Sequence, residues 1–452
     1  MTPRRADAWF SLAVALVVRL AVVAWAHGRF PAVEDGHYYD ILARRLASGA
    51  GYTWLWPDGM ITYAAHYPVG YPAILAAGYA IFGASTTVAM LIQAGLGAAG
   101  AYATHSLVDG PGVARWRPLA AALAVALHPA LVPYTVAIMT EGVTASLLLV
   151  AAAFAARASA SERAAPWLVA LGIVMAAATL VRPQSLILAP MFGVFGAKAA
   201  AARAQRLARA AAVTAIALAC IAPWTARNCW RMHRCALVSV NGGWNLLIGA
   251  TTPSGGWAPV TVPAACSTVW DEAAKDSCFQ RSALSEIAHA PEAWLARAPA
   301  KVAMTLDYFG AAPWYLHASN AGAFDDDARI VLLSFETIVC RLFLLGALVA
   351  SARADGARMR ARKGVAFAGA AATLTVHGWL GYVGVLTCLV LVGWRSLTRA
   401  PLVLPTTAAV ILATVATHAA FFGSGRYGLV VAPFVGALAF AAPAVETRSS
   451  RG

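Results

Sequence analysis

The stretch "FPAVEDGHYYDILARRL" sets two carboxylates side by side, Glu34 and Asp35, directly after a long apolar run. An acid at the edge of a membrane span suits general-base work, taking a proton from a hydroxyl or amine within hydrogen-bond reach. It equally suits a structural task, because Asp35 can serve as the N-cap of a helix that follows. Other ionisable residues stand at comparable places: Glu141 in "VPYTVAIMTEG", Arg182 in "LVRPQS", Arg227 in "PWTARN" and Arg426 in "GSGRYG". Arg19 lies within the first apolar run. Ionisable groups at membrane depth are costly and either line a cavity or find partners. Singly, an arginine at a span end more often reaches for lipid headgroups. As a set, on the side where the positive-inside trend disfavours cations, they call for an anion. A lipid phosphate or pyrophosphate fits, since arginine meets phosphate oxygens bidentately.

The elements that must hold these residues are apolar helices. The 452-residue chain is 60% hydrophobic and only 12% charged, against about 25% charged in a soluble domain. This composition implies an all-α, multi-pass membrane protein. Segments of spanning character fall at 8–27, 86–107, 118–135, 140–157, 166–181, 184–198, 208–225, 328–350, twice within 365–394, and at 401–420 and 428–444. About twelve transmembrane helices (11–13) are expected, with 365–394 read as a hairpin returning near Gly381. That hairpin keeps Arg395, Arg399 and the terminal "ETRSSRG" on the inner side.

The formal net charge of +14 raises nucleic acid as a partner, but its distribution argues against it. Basic residues gather in alternate connectors, such as Arg203, Arg206 and Arg209, or Arg358, Arg360 and Arg362, while most acids occupy the others. This is the pattern that sets membrane orientation. The first run, about Ala8–Ala26, has a basic front and reads as an uncleaved signal anchor. The acidic pair then lies outside, which in a bacterium means the periplasmic face of the inner membrane.

Three regions follow: an N-terminal transmembrane module over 1–225 with its first external loop at 28–85, a large external loop over 226–327, and C-terminal helices over 328–452. In the first loop, Tyr38, Ile41, Leu42 and Leu46 share one helical face opposite Arg44 and Arg45, predicting an amphipathic helix on the membrane surface. "GYPAILAAGYAIFG" predicts a second surface or re-entrant helix. The large loop is polar enough for a small subdomain and contains Cys229, Cys235, Cys266 and Cys278. Four cysteines confined to an oxidising side point to disulfides. Local pairing, Cys229–Cys235 and Cys266–Cys278, is one of three connectivities.

The ordered motifs resemble the GT-C superfamily of membrane glycosyltransferases, especially its family 39-like branch of protein O-mannosyltransferases and lipid A aminoarabinose transferases. They are the acidic pair, "YYDILARRLASGAGY", "YPVGYPAILAAGYAIFG", "LHPALVPYTVAIMTEG", "LVRPQSL", "APWTARN" and "GSGRYGLVVAPF". The resemblance implies a catalytic role for Asp35 as base, with Glu34 beside it and Glu141 as the second acid. It implies that Arg182, Arg227 and Arg426 hold a polyprenyl phosphate, with Tyr427 next to Arg426. Where the aminoarabinose enzymes have a lysine before the Pro-x-x-Gly-Tyr-like segment, this chain has His66 and Tyr67 before Pro68 as substrate-binding candidates. Glu also precedes Asp here, the reverse of the family order.

The function this implies is inverting transfer of a sugar from a polyprenyl-phosphate donor to a lipid A, glycan or protein acceptor. A transporter, flippase or glycan ligase for lipid-linked saccharides is the rival, and a non-catalytic scaffold the third reading. No internal repeat of transporter type is visible. No metal ligands can be assigned. A divalent cation is compatible with two adjacent acids plus Glu141, although a hard cation wants about six oxygens.

Overall fold

The computed structural model describes residues 3–110, 113–307 and 310–441. The terminal "ETRSSRG" lies outside the described residues. Helix α1 (Pro3–Ala26) leads into α2 (Asp35–Ala47), a hairpin of β1 (Thr53–Leu55) and β2 (Ile61–Tyr63), and α3 (Gly70–Phe82). Then come α4 (Thr86–Val108), α5 (Trp116–Ala126), α6 (Thr140–Ala160), α7 (Ala165–Val181), α8 (Leu188–Phe195) and α9 (Arg203–Arg231). The large loop folds into α10 (Gly242–Thr251), α11 (Glu272–His289), α12 (Pro291–Ala296), α13 (Ala298–Leu306) and α14 (Ala311–Ser319). Last are α15 (Asp326–Arg353), α16 (Met359–Thr373), α17 (Trp379–Val392), α18 (Trp394–Leu397), α19 (Val403–Ala420) and α20 (Ala432–Leu438).

Among the described residues six helices are long and apolar enough to cross a membrane: α1, α4, α6, α9, α15 and α19. The chain is a multi-pass membrane protein. The remaining expected spans are shorter. The 118–135 segment stops as a helix at Ala126 because His128–Pro129 interrupts it, and resumes as a 3-10 turn over Pro133–Val136. The last segment divides into a 3-10 turn, Gly425–Val430, and the short α20. The 365–394 region is a helical hairpin, α16 and α17, turning at 374–378. The main core is built from alanine, leucine and valine of α4–α9, α15, α17, α19 and α20, and close helix packing in lipid favours such small side chains.

Helix α2 departs from its expected orientation. Tyr39, Leu42 and Ala43 are its buried large and small apolar residues, covered largely by α3, while Tyr38 is exposed. Its apolar face is therefore covered by protein rather than left for lipid. Both local cysteine pairs, Cys229–Cys235 and Cys266–Cys278, are disulfides. The second lies under α10 and α11 among Leu247, Phe279 and Ala283, a small separate core.

Candidate active site

Asp35 is the first residue of α2 rather than its cap. Glu34 holds the cap position with φ 53° and makes no side-chain cap bond. A non-glycine residue at positive φ is uncommon, and where the surroundings impose it such strain gathers at functional sites. The turn that follows is closely packed. Gly36 lies so near Ile138 that a Cβ would sit 2.8 Å from its carbonyl oxygen and 3.0 Å from the Tyr315 hydroxyl. That hydroxyl accepts from the Val33 and Ile138 amides, 3.3 Å each, and ties the two loops together.

Asp35 Oδ2 lies 2.7 Å from Arg426 Nη2, and the Tyr67 hydroxyl donates to Oδ1 at 3.2 Å. Burial, with Asp35 beside it, pushes the Tyr67 phenol above its usual pKa, so it stays a donor. Glu141 opens α6 and is 1% exposed. Its Oε1 is 2.8 Å from Arg182 Nη1 and 3.6 Å from Arg426 Nε. Its Oε2 accepts from the Tyr134 hydroxyl at 3.0 Å. Arg182 ends α7, where Pro183 breaks the helix. It also donates to Thr140 Oγ1 at 3.1 Å, and the Gln184 side-chain oxygen accepts from its Nε and Nη2. Tyr427 lies beneath both guanidiniums, 4.6 Å from Arg182 and 5.2 Å from Arg426, and stacks on His418 at 4.5 Å.

Two carboxylates and two arginines from four distant segments thus form one chain, Asp35–Arg426–Glu141–Arg182. Burying them as opposite pairs offsets the cost of burying them singly. Asp35 and Arg426 stay about one-third exposed, at 31% and 27%, while Arg182 and Glu141 are nearly covered. A cavity opens beside this chain between α6, α8 and α19. Arg182, Gln184, His418 and Tyr427 give it a polar end, and Leu148 and Val410 an apolar wall.

The other expected residues lie apart. Glu34 is exposed. His66 is separated from the ion-pair chain by Tyr67, and its ring packs on Tyr67 and Trp244. Burial lowers its pKa below the usual imidazole value, which favours the neutral ring. Arg227 does not join the site. Its donors are taken by the Ala64 and Tyr52 carbonyls at 2.8 Å each, bracketing the β-hairpin. Arg19 is equally structural and binds the Val125 and Ala126 carbonyls at the end of α5.

Tyr134, Thr140, Gln184 and His418 complete the surroundings of the site without having been singled out in the sequence. As for a metal, among the described residues no group of three or more His, Cys, Asp or Glu could hold one. Asp35 and Glu141 both face arginines instead, so the residues present do not fit a divalent cation.

No protein-family model matches the sequence, and no curated protein matches it in sequence. Solved structures do match in fold. The apo oligosaccharyltransferase of Archaeoglobus fulgidus aligns over 96% of this chain and 50% of its own, at 14% identity and TM-score 0.50. The chain shares the fold of the aligned half of that enzyme. It spans about half the length of that archaeal enzyme. The same oligosaccharyltransferase in complex with an inhibitory peptide and a dolichol-phosphate aligns at TM-score 0.46 and 14% identity, over 95% of this chain and 50% of that one. ArnT from Cupriavidus metallidurans bound to undecaprenyl phosphate aligns at TM-score 0.37 and 17% identity, over 96% and 77%.

Proposed function

We propose that the protein transfers a sugar from a polyprenyl-phosphate donor to a lipid A, glycan or protein acceptor at the periplasmic face of a bacterial inner membrane. The observation that carries this reading is Arg426 standing between two carboxylates, Asp35 and Glu141, with its neighbours Arg182 and Tyr427 lining a part-apolar cavity. In the resting chain Arg426 occupies Asp35. An incoming phosphate competes for that guanidinium, since Arg–phosphate bonds are charge-assisted and bidentate. Drawing Arg426 towards phosphate leaves the Asp35 carboxylate free to accept a proton.

The transfer then balances simply. The acceptor hydroxyl or amine gives its proton to Asp35 and bonds to the anomeric carbon. The bond from that carbon to the phosphate oxygen breaks, and the polyprenyl phosphate leaves with the electron pair. Attack opposite the leaving group inverts the configuration. Arg426 and Arg182 stabilise the charge growing on the phosphate, as oxyanion-hole donors do, and Glu141 holds both in register. Glu34 stays outside this step and tunes the local field.

Comparing the masses of lipid A, glycans and glycoproteins from cells with and without the gene tests the reading. A pentose or hexose increment should vanish in the deletion and return with the wild-type gene. It should not return with Asp35→Asn. Unchanged masses in the deletion would overturn the proposal.

A further inference from the structure

The β-hairpin of the first external loop presents two unlike faces. Its register pairs Thr53 with Tyr63, Trp54 with Thr62 and Leu55 with Ile61. Side chains alternate along a strand, so Leu55, Ile61, Thr53 and Tyr63 share one face, and Trp54 and Thr62 the other. The Trp54 face is engaged: its indole donates to Glu272 of α11. On the other face Thr53 is buried and its hydroxyl accepts from Arg45, but the part toward the turn is open. Ile61 is 60% exposed and Leu55 58%.

Tyr63, at the inner end of that face, stands against the end of α9, a helix long and apolar enough to span the membrane. Arg231, the last residue of α9, lies 4.8 Å from the Tyr63 ring and 4.7 Å from the Trp230 ring. Arg227, one turn earlier, lies 5.5 Å from Tyr63 and holds the hairpin through the Tyr52 and Ala64 carbonyls. The span end therefore fixes the height of the hairpin at the water–lipid boundary. Tryptophan, tyrosine and arginine at that level are the usual interfacial anchors. Among the described residues no carboxylate lies within 4.0 Å of the Arg227 or Arg231 side-chain nitrogens. The hairpin's own acid, Asp58, sits at the turn with one oxygen taken by the Met60 amide.

We propose that the Leu55/Ile61/Tyr63 face rests in the headgroup layer of the bilayer and that Arg231 there binds the phosphate of anionic lipid. The occupant is the lipid surface itself, argued from continuity with α9 and from the unpaired cation beside an exposed apolar face. The assignment is independent of catalysis, and its test needs no substrate.

Nitroxide labels at Leu55→Cys, Ile61→Cys and Asp58→Cys, each in a Cys220→Ala background, read their surroundings through collision with oxygen and with an aqueous nickel chelate. In phosphatidylglycerol vesicles the Leu55 and Ile61 labels should be several-fold less accessible to nickel than the Asp58 label. The shielding should weaken in phosphatidylcholine vesicles and with Arg231→Gln. Nickel accessibility equal to that at Asp58, or the same shielding in lipid-free amphipol, overturns the proposal. Shielding of equal size in both lipids overturns the anionic preference.

Discussion

Asp35 and Glu141 are both acids at helix starts, yet their surroundings give them different work. Asp35 is one-third open, with one oxygen on Arg426 and one on Tyr67, which leaves the room the proposed mechanism needs for substrate to replace the arginine. Asp35→Asn keeps the shape and should leave folding intact while lowering transfer by about two to four orders of magnitude, the usual loss of a general base. Because Asp35 makes no capping bond, Asp35→Ala should unfold at nearly the same temperature as Asp35→Asn, checked by thermal scans in detergent. Glu141 is closed in, and Glu141→Ala leaves Arg182 buried without its partner. Breaking such a pair costs about 3–5 kcal/mol, so this variant should show a clear drop in unfolding temperature as well as lost activity. Glu34→Gln should do neither. The sequence made Asp35, Glu141, Arg182 and Arg426 legible because charge in an apolar chain is conspicuous. It could not show that Arg426 reaches back 391 positions to Asp35. Nor could it separate them from Arg227, whose span-end position is the same but whose donors are spent on carbonyls. Tyr134 and Tyr315 escaped notice because a tyrosine among apolar residues has no distinguishing pattern until its hydroxyl finds a partner.

Helices α2 and α11, with the hairpin between α2 and α3, govern whether the external loops hold together over the site. Glu272, at the start of α11, accepts from the Trp54 indole and from the Ala65 and His66 amides at 2.7 and 3.0 Å. Hydrogen bonds to a charged group contribute about 1.5–3 kcal/mol each. Glu272→Ala should therefore loosen residues 52–67 selectively, seen as faster amide exchange there with the span helices unchanged. Disulfides hold the other side of this assembly. Alkylation of unreduced protein should modify none of Cys229, Cys235, Cys266 or Cys278, and free thiol at either pair would refute the linkage. The long helices were legible because apolar runs near twenty residues admit little else. The hairpin was not, because three residues per strand are too few to show alternation against an aromatic-rich background. The apolar run that holds α5 continues past His128–Pro129, where the helix itself cannot, so its end is hidden in the sequence.

Across the whole molecule most of the paired charges fall into two layers. At one end of the bundle Arg4 pairs with Asp109, Arg115 with Asp7 and Lys198 with Glu162. Arg206 and Arg362 close the adjacent connectors by donating to backbone carbonyls, among them those of Ala199 and Ser351. At the other end lie Asp35, Glu141, Arg182 and Arg426. Helix α1 connects the layers: its 24 residues run about 36 Å at 1.5 Å per residue, enough for a hydrocarbon core of about 30 Å. The first layer is rich in cations left over after pairing, including Arg203, Arg358 and Arg360, whereas the second balances two acids against two arginines. Cations retained in short connectors mark the cytoplasmic side, and the proposed transfer from a lipid-linked donor expects the site on the opposite face. A reporter active only in the cytoplasm should therefore be active when fused after Arg362 and silent when fused after Asp276. The opposite pair of results would turn the bundle over, place Asp35 in the cytoplasm and remove the reason for a polyprenyl donor.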